Sequence, residues 1–155
     1  MTTNLTDSPA APRIATAWTA ERVLSSLEDL GPLRIITVTG PNVFETICEL
    51  GGYGVANGYF NAITPQYHWH LRLDGLRHVH TKDEVHARSG RRVLFLEFRE
   101  QARAEPFLMV YLHRGKGEEF GDEREAAFGR LHEVFGEGAP VEPADGATAE
   151  GEAAS

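Results

Sequence analysis

Four of the chain's seven histidines lie in the run Tyr67-His68-Trp69-His70-Leu71-Arg72-Leu73-Asp74-Gly75-Leu76-Arg77-His78-Val79-His80, as two His-x-His pairs. Side chains two apart on a strand point to one face. His68, His70 and Arg72 therefore share a face, and Tyr67, Trp69, Leu71 and Leu73 take the other. By the same rule His78 and His80 face together, opposite Arg77, Val79 and Thr81. Asp74-Gly75, between two alternating runs, is a hairpin turn signal. A two-residue turn pairs Leu73 with Leu76, His70 with Val79 and Trp69 with His80, so the two histidine pairs fall on opposite faces. A three-residue loop with a bulge shifts the register by one and brings all four to one face. The Asp-Gly signal favours the first arrangement.

Two kinds of chemistry use histidines spaced this way. A cupin-like site binds a divalent metal through two histidines of one strand and a carboxylate soon after. Here the next acid is Asp74, at the turn, so that pattern is incomplete. A tetrapyrrole site needs an axial imidazole, an apolar slot for the macrocycle and cations or donors for the propionates. His70 or His68, the aromatic neighbours and Arg72 supply those types, with His78 and His80 as further candidates. The third reading is a structural or regulatory module whose strand faces carry histidine without a ligand. Elsewhere, Gly115-Lys116-Gly117 lacks the spacing and the Ser/Thr of a phosphate loop, and no Gly-x-Ser-x-Gly occurs. A single cysteine, Cys48, excludes an internal disulfide and a zinc finger, and its place in a strand predicts a buried, inert thiol.

The elements that position these residues are readable from periodicity. With 155 residues and 41% hydrophobic content, one domain is expected. The net charge of −8 argues against nucleic acid as a partner. No apolar run spans a bilayer and no signal peptide is evident, so a cytoplasmic location without membrane insertion is expected. Residues 1–15 read as disordered, 16–136 as the domain and 137–155 as a disordered acidic tail. A helix from Thr16 carries Val23, Leu24, Leu27 and Leu30 and stops at Gly31-Pro32. Strands follow at 33–39, 43–50 and 59–63, with 51–58 as a glycine-rich loop. The central hairpin comes next, then strands at 93–98 and 107–112. Asp122 and Glu125 have capping-box spacing before a helix with the stripe Phe128, Leu131, Val134 and Phe135. The fold class is α+β: an antiparallel meander of about seven strands between an N-terminal and a C-terminal helix. An open meander leaves strand edges, and a homodimer would cover them.

The segment Gly58-Tyr59-Phe60-Asn61, followed by Thr64-Pro65-Gln66-Tyr67-His68-Trp69-His70-Leu71-Arg72, resembles the heme-utilisation carrier family of the ChuX/HutX type. It is also similar to the half-domains of the HmuS/ChuS heme-handling proteins. The resemblance runs from about Leu33 to Phe135. It implies an antiparallel sheet that pairs with a second subunit, heme or another tetrapyrrole as the ligand, and a carrier or storage role. His70 falls on the family's strand histidine, a candidate axial ligand to heme iron. The family's second histidine lies on the first strand, where this chain has Thr37 and Val38, and no histidine precedes His68.

Overall fold

The structure, a computed structural model, describes residues 17–144. The expectation for residues 1–15 lies outside them. Helix α1 (Ala20–Ser26) starts where Thr19 Oγ1 accepts from the Arg22 N–H at 3.2 Å, an N-cap that satisfies one orphan donor. It continues as a 3₁₀ turn over Leu27–Leu30 and ends at Gly31, whose φ of 68° is unfavourable for any residue with a Cβ. Nine strands follow: β1 (Leu33–Thr39), β2 (Asn42–Cys48), β3 (Tyr53–Ala56), β4 (Tyr59–Ile63), β5 (His68–Arg72), β6 (His78–Val85), β7 (Arg92–Arg99), β8 (Leu108–Leu112) and β9 (Ala139–Pro140), with helix α2 (Asp122–Phe135) before β9. The α+β class holds, and every strand pairing is antiparallel.

The strands divide into two sheets, a six-stranded one in the order β2-β1-β8-β7-β6-β9 and a three-stranded one in the order β3-β4-β5. This corrects the central hairpin. β5 pairs with β4 and β6 pairs with β7, so His68/His70 and His78/His80 stand in different sheets. Asp74-Gly75 belongs to a 3₁₀ turn over Leu73–Gly75, closed by the Leu76 N–H donating to Leu73 O at 3.2 Å. Leu76 itself is buried. The glycine-rich segment 51–58 is also more than a loop. It contains β3, joined to β4 by Asn57-Gly58, both at positive φ (54° and 78°), as a two-residue hairpin turn requires.

The core lies on one face of the six-stranded sheet. Leu33, Ile35, Leu94, Leu96, Phe98 and Val110 pack there against α1 and α2. Trp18 meets Phe135 edge-on, with ring centroids 6.1 Å apart. On α2 the stripe Phe128, Leu131 and Phe135 is buried as expected, whereas Val134 is 43% exposed. The expected capping box does not form. Gly121 is the N-cap, Asp122 is already helical, and Glu125 is engaged by Arg92.

The acidic tail expected from residue 137 is likewise corrected for 137–144. Ala139–Pro140 pair with Val79 and His78 on the edge of β6, and the Val141 and Glu142 N–H groups each donate at 2.9 Å, to Arg77 O and Trp18 O. Two residues that include a proline carry no periodicity, which is why this strand has no sequence signature. Residues 145–155 lie outside the described residues. A chain ending at residue 137 is therefore expected to be less stable than one ending at 144 by roughly 1–3 kcal/mol, since a backbone hydrogen bond contributes about 1 kcal/mol net. Urea denaturation checks this, and coincident midpoints would show that the docking contributes nothing.

Candidate functional site

The three-stranded sheet has one buried face and one open face. Phe60 and Ala62 are fully buried, Trp69 and Leu71 half-buried, and Tyr53 stacks on Phe60 at 5.0 Å while Trp69 meets Phe60 edge-on at 5.8 Å. Alternation then turns the other set outward. The register places His68 beside Ile63, His70 beside Asn61 and Arg72 beside Tyr59, all on the open face. The third strand adds Gly54 beside Asn61 and Ala56 beside Tyr59, leaving a shallow strip one strand beyond the imidazoles. A Cβ built on Gly54 meets nothing within 4 Å, so the strip is open. As expected, His68, His70 and Arg72 share a face, and all three are exposed.

His70 is held in one orientation. Its Nδ1 lies 2.7 Å from Asn61 Oδ1. The Asn61 amide nitrogen donates to Tyr59 O at 3.0 Å and to Gly54 O at 3.5 Å, which turns its oxygen toward the ring. An amide oxygen only accepts, so His70 carries a proton on Nδ1, and in the neutral ring the bare lone pair is on Nε2. A carbonyl oxygen behind one imidazole nitrogen is the arrangement that orients a metal-ligating histidine. Asn61 was not among the expected site residues. It comes beside His70 through the β4–β5 register, which no turn signal in the sequence announces.

His68 is near His70, with ring centroids 6.2 Å apart at 89°. No carboxylate joins them: Asp74 forms an ion pair with Arg72. Among the described residues, no group of three or more His, Cys, Asp or Glu is placed to hold a metal ion. Arg72 faces the same side as the imidazoles but spends its Nε on Asp74.

His78 and His80 sit elsewhere, lining a polar cavity of about 370 Å³ with Arg99, Arg103, Glu137 and Gly138. His80 Nε2 donates to Gly136 O at 3.2 Å. His78 Nδ1 is buried without a hydrogen-bond partner. Gly138 closes over it at φ 77°, and a Cβ there would come within 3.0 Å of His78 Cε1. Cys48 is half-buried, and burial pushes its thiol up from the ordinary value, against the opposing hydrogen bond of Tyr67. That leaves it protonated and unreactive at neutral pH.

Burial, then Arg99 and His80, push the His78 imidazole below its ordinary value of 6.5. The folded chain therefore binds fewer protons there than the unfolded chain. The His78 contribution is full above the unfolded value and is lost as pH falls through it toward the depressed folded value. Unfolding free energy measured from about pH 7 to pH 5 is expected to fall less steeply in His78→Gln than in the wild type. Equal slopes would show that His78 is not held neutral by the fold.

No family model matches the chain, and no curated protein matches it in sequence. Solved structures do. A structural-genomics protein from Agrobacterium tumefaciens superimposes with a TM-score of 0.60 at 21% identity, over 76% of this chain and 69% of that one. ChuX gives 0.61 at 19% identity, over 76% of this chain and 72% of its own. Holo-PhuS, a heme-binding protein from Pseudomonas aeruginosa, gives 0.57 at 16% identity, over 70% of this chain but 31% of PhuS. At these identities the likeness is one of architecture: the chain has the fold of ChuX and of about a third of PhuS.

Proposed function

We propose that this chain binds heme, or a closely similar tetrapyrrole, and serves in its transfer, storage or utilisation, with His70 as the axial ligand to iron. The observation that carries this reading is the His70–Asn61 pair: one ring nitrogen is tied back at 2.7 Å and the other is free. The residues present fit the group. Tyr59 and Ile63 flank the imidazoles with partly exposed apolar surface, and the Gly54–Ala56 strip is flat enough to lie against a planar ring. Heme supplies the iron and the apolar plane. The chain supplies one imidazole, its tautomer and a surface open on one side, from which a ligand can be passed on. The solved structures of the same fold include proteins described as heme-binding, ChuX and PhuS. A His-x-His metal enzyme fits less well, because among the described residues no third protein ligand stands near His68 and His70.

The same reading takes the chain as a homodimer. β2 ends the six-stranded sheet and leaves Val43, Phe44 and Ile47 more than half exposed, an edge that a second copy would cover. Light scattering at micromolar concentration tests it, and a particle of 17.1 kDa would count against it.

His70→Ala is expected to shift the Soret band and weaken hemin binding at least tenfold without lowering the melting temperature, because the side chain is exposed. Asn61→Ala keeps the ligand but frees its tautomer. A loss of a few-fold is expected, with mixed Nδ1–H and Nε2–H signals for His70 in nitrogen-15 spectra. His78→Ala is expected to leave the hemin spectrum unchanged. A shift in His68→Ala with none in His70→Ala moves the ligand to the neighbouring histidine, and unchanged spectra in both would end the tetrapyrrole reading at this site.

A further inference from the structure

A second site lies where β1 begins, β7 begins and β8 ends. There a cavity of about 170 Å³ is lined by Arg34, Arg91, Arg92 and Arg114, together with the apolar walls of Tyr111 and Phe120. The four arginines come from three segments: β1, the adjacent Arg91–Arg92 pair where the β6–β7 loop enters β7, and the stretch after β8. None of the residues lining the cavity is a carboxylate. This is a local concentration of positive charge in a chain whose net charge is −8.

Neighbouring acids neutralise it only in part. Arg92 is held from outside the cavity by Asp83 and Glu125. Arg114 has Glu119 at 3.8 Å, a side chain that is 94% exposed, so that pair is screened. Arg34 and Arg91 have no carboxylate partner among the described residues. Backbone carbonyls instead fix the forks: Arg91 Nη2 donates to Gly115 O at 3.2 Å and Arg114 Nη2 to Arg92 O at 2.7 Å. Phe120 carries two cations, with Arg114 4.0 Å and Arg124 5.7 Å from its ring centroid. Like charges held together by packing and carbonyls repel, and an anion between them relieves that repulsion.

We propose that this cavity binds the phosphate group of a small molecule, either free phosphate or a phosphate monoester. Arg34, Arg91 and Arg114 come to the cavity from three segments, which favours phosphate over carboxylate. A carboxylate offers two oxygens in one plane to one fork, whereas a tetrahedral phosphate offers oxygens in several directions. The small volume admits a headgroup and excludes a macrocycle, so the site is separate from the one at His70.

Calorimetric titration of the full chain with inorganic phosphate at low ionic strength tests the proposal. Saturable binding of one phosphate per chain is expected, at least tenfold tighter than acetate and weakened by potassium chloride. The double variant Arg34→Gln, Arg91→Gln is expected to lose at least tenfold in affinity. Arg103→Gln, in the His78 cavity, is expected to lose nothing. Should the double variant fold poorly, Arg91→Gln alone, on an exposed loop, is expected to show a loss of several-fold. Titration with glycerol phosphate separates the sources, since a monoester site binds it at least as tightly as free phosphate. Absence of saturable binding, equal binding of acetate, or an equal loss in Arg103→Gln would overturn the assignment. Hemin titration of the same variants reads the other site and is expected to be unaffected.

Discussion

Leu76 lies where the chain passes from one sheet to the other, and it is 1% exposed. Burying such a side chain contributes roughly 2 kcal/mol. A two-residue hairpin at Asp74-Gly75 would hold Leu76 against Leu73 and keep β6 beside β5. The chain instead leaves β5 at Arg72. The Leu73 N–H donates to Gly58 O at 2.9 Å, one further rung on the β4 side, and a single 3₁₀ turn carries Leu76 inward. The placement of the histidines follows from that passage. His68 and His70 remain on the outer face of a small sheet, and His78 and His80 enter the main sheet beside its β9 edge.

Alternation then does different work in the two sheets. In the small one, the side that holds Phe60 and Ala62 anchors the platform, so the side with His70 and Asn61 needs no packing of its own. In the large one, the face away from the helices is half-covered by its own side chains. Phe95 stacks on Tyr111 at 4.5 Å, and Glu97, buried, is paired with Lys82 at 3.3 Å and with Arg99. A buried carboxylate without such partners would be costly. The same face ends in Arg34 and Tyr111, where the basic cavity begins.

What could be read from the residues was what depends on near neighbours. β1 at 33–39 and β4 at 59–63 stand where alternation puts them, and Phe128, Leu131 and Phe135 are buried where the helical period puts them. The shared face of His68, His70 and Arg72 belongs to the same class. Pairing between strands does not. Asn57-Gly58 and Asp74-Gly75 are turn signals of equal kind, yet only the first closes a hairpin: after the second, β6 pairs with β7 in the other sheet and Leu76 is buried. β3 hides among glycines because Tyr53 and Val55, the two side chains it turns toward the core side, stay partly exposed. β9 is too short for a period to show. Asn61 becomes legible as the partner of His70 only once the β4–β5 register is known.

An exposed histidine on a flat sheet would ordinarily rotate freely and share its proton between both ring nitrogens. Asn61 removes that freedom at the level of one hydrogen bond, and the asparagine is itself tied to two backbone carbonyls of its own hairpin. The orientation of His70 is thus set by β3 and β4 alone, without the helices and without the six-stranded sheet. A site built this way keeps its geometry while one side stays open, which enclosure within a core would not allow. It gains nothing from deep burial, so under the proposed reading a single imidazole would have to supply the specificity of the contact with iron. The exposed apolar side chains of Tyr59 and Ile63 supply surface rather than direction. Such a division of roles favours loose, reversible holding of a ligand, which is consistent with the proposed function.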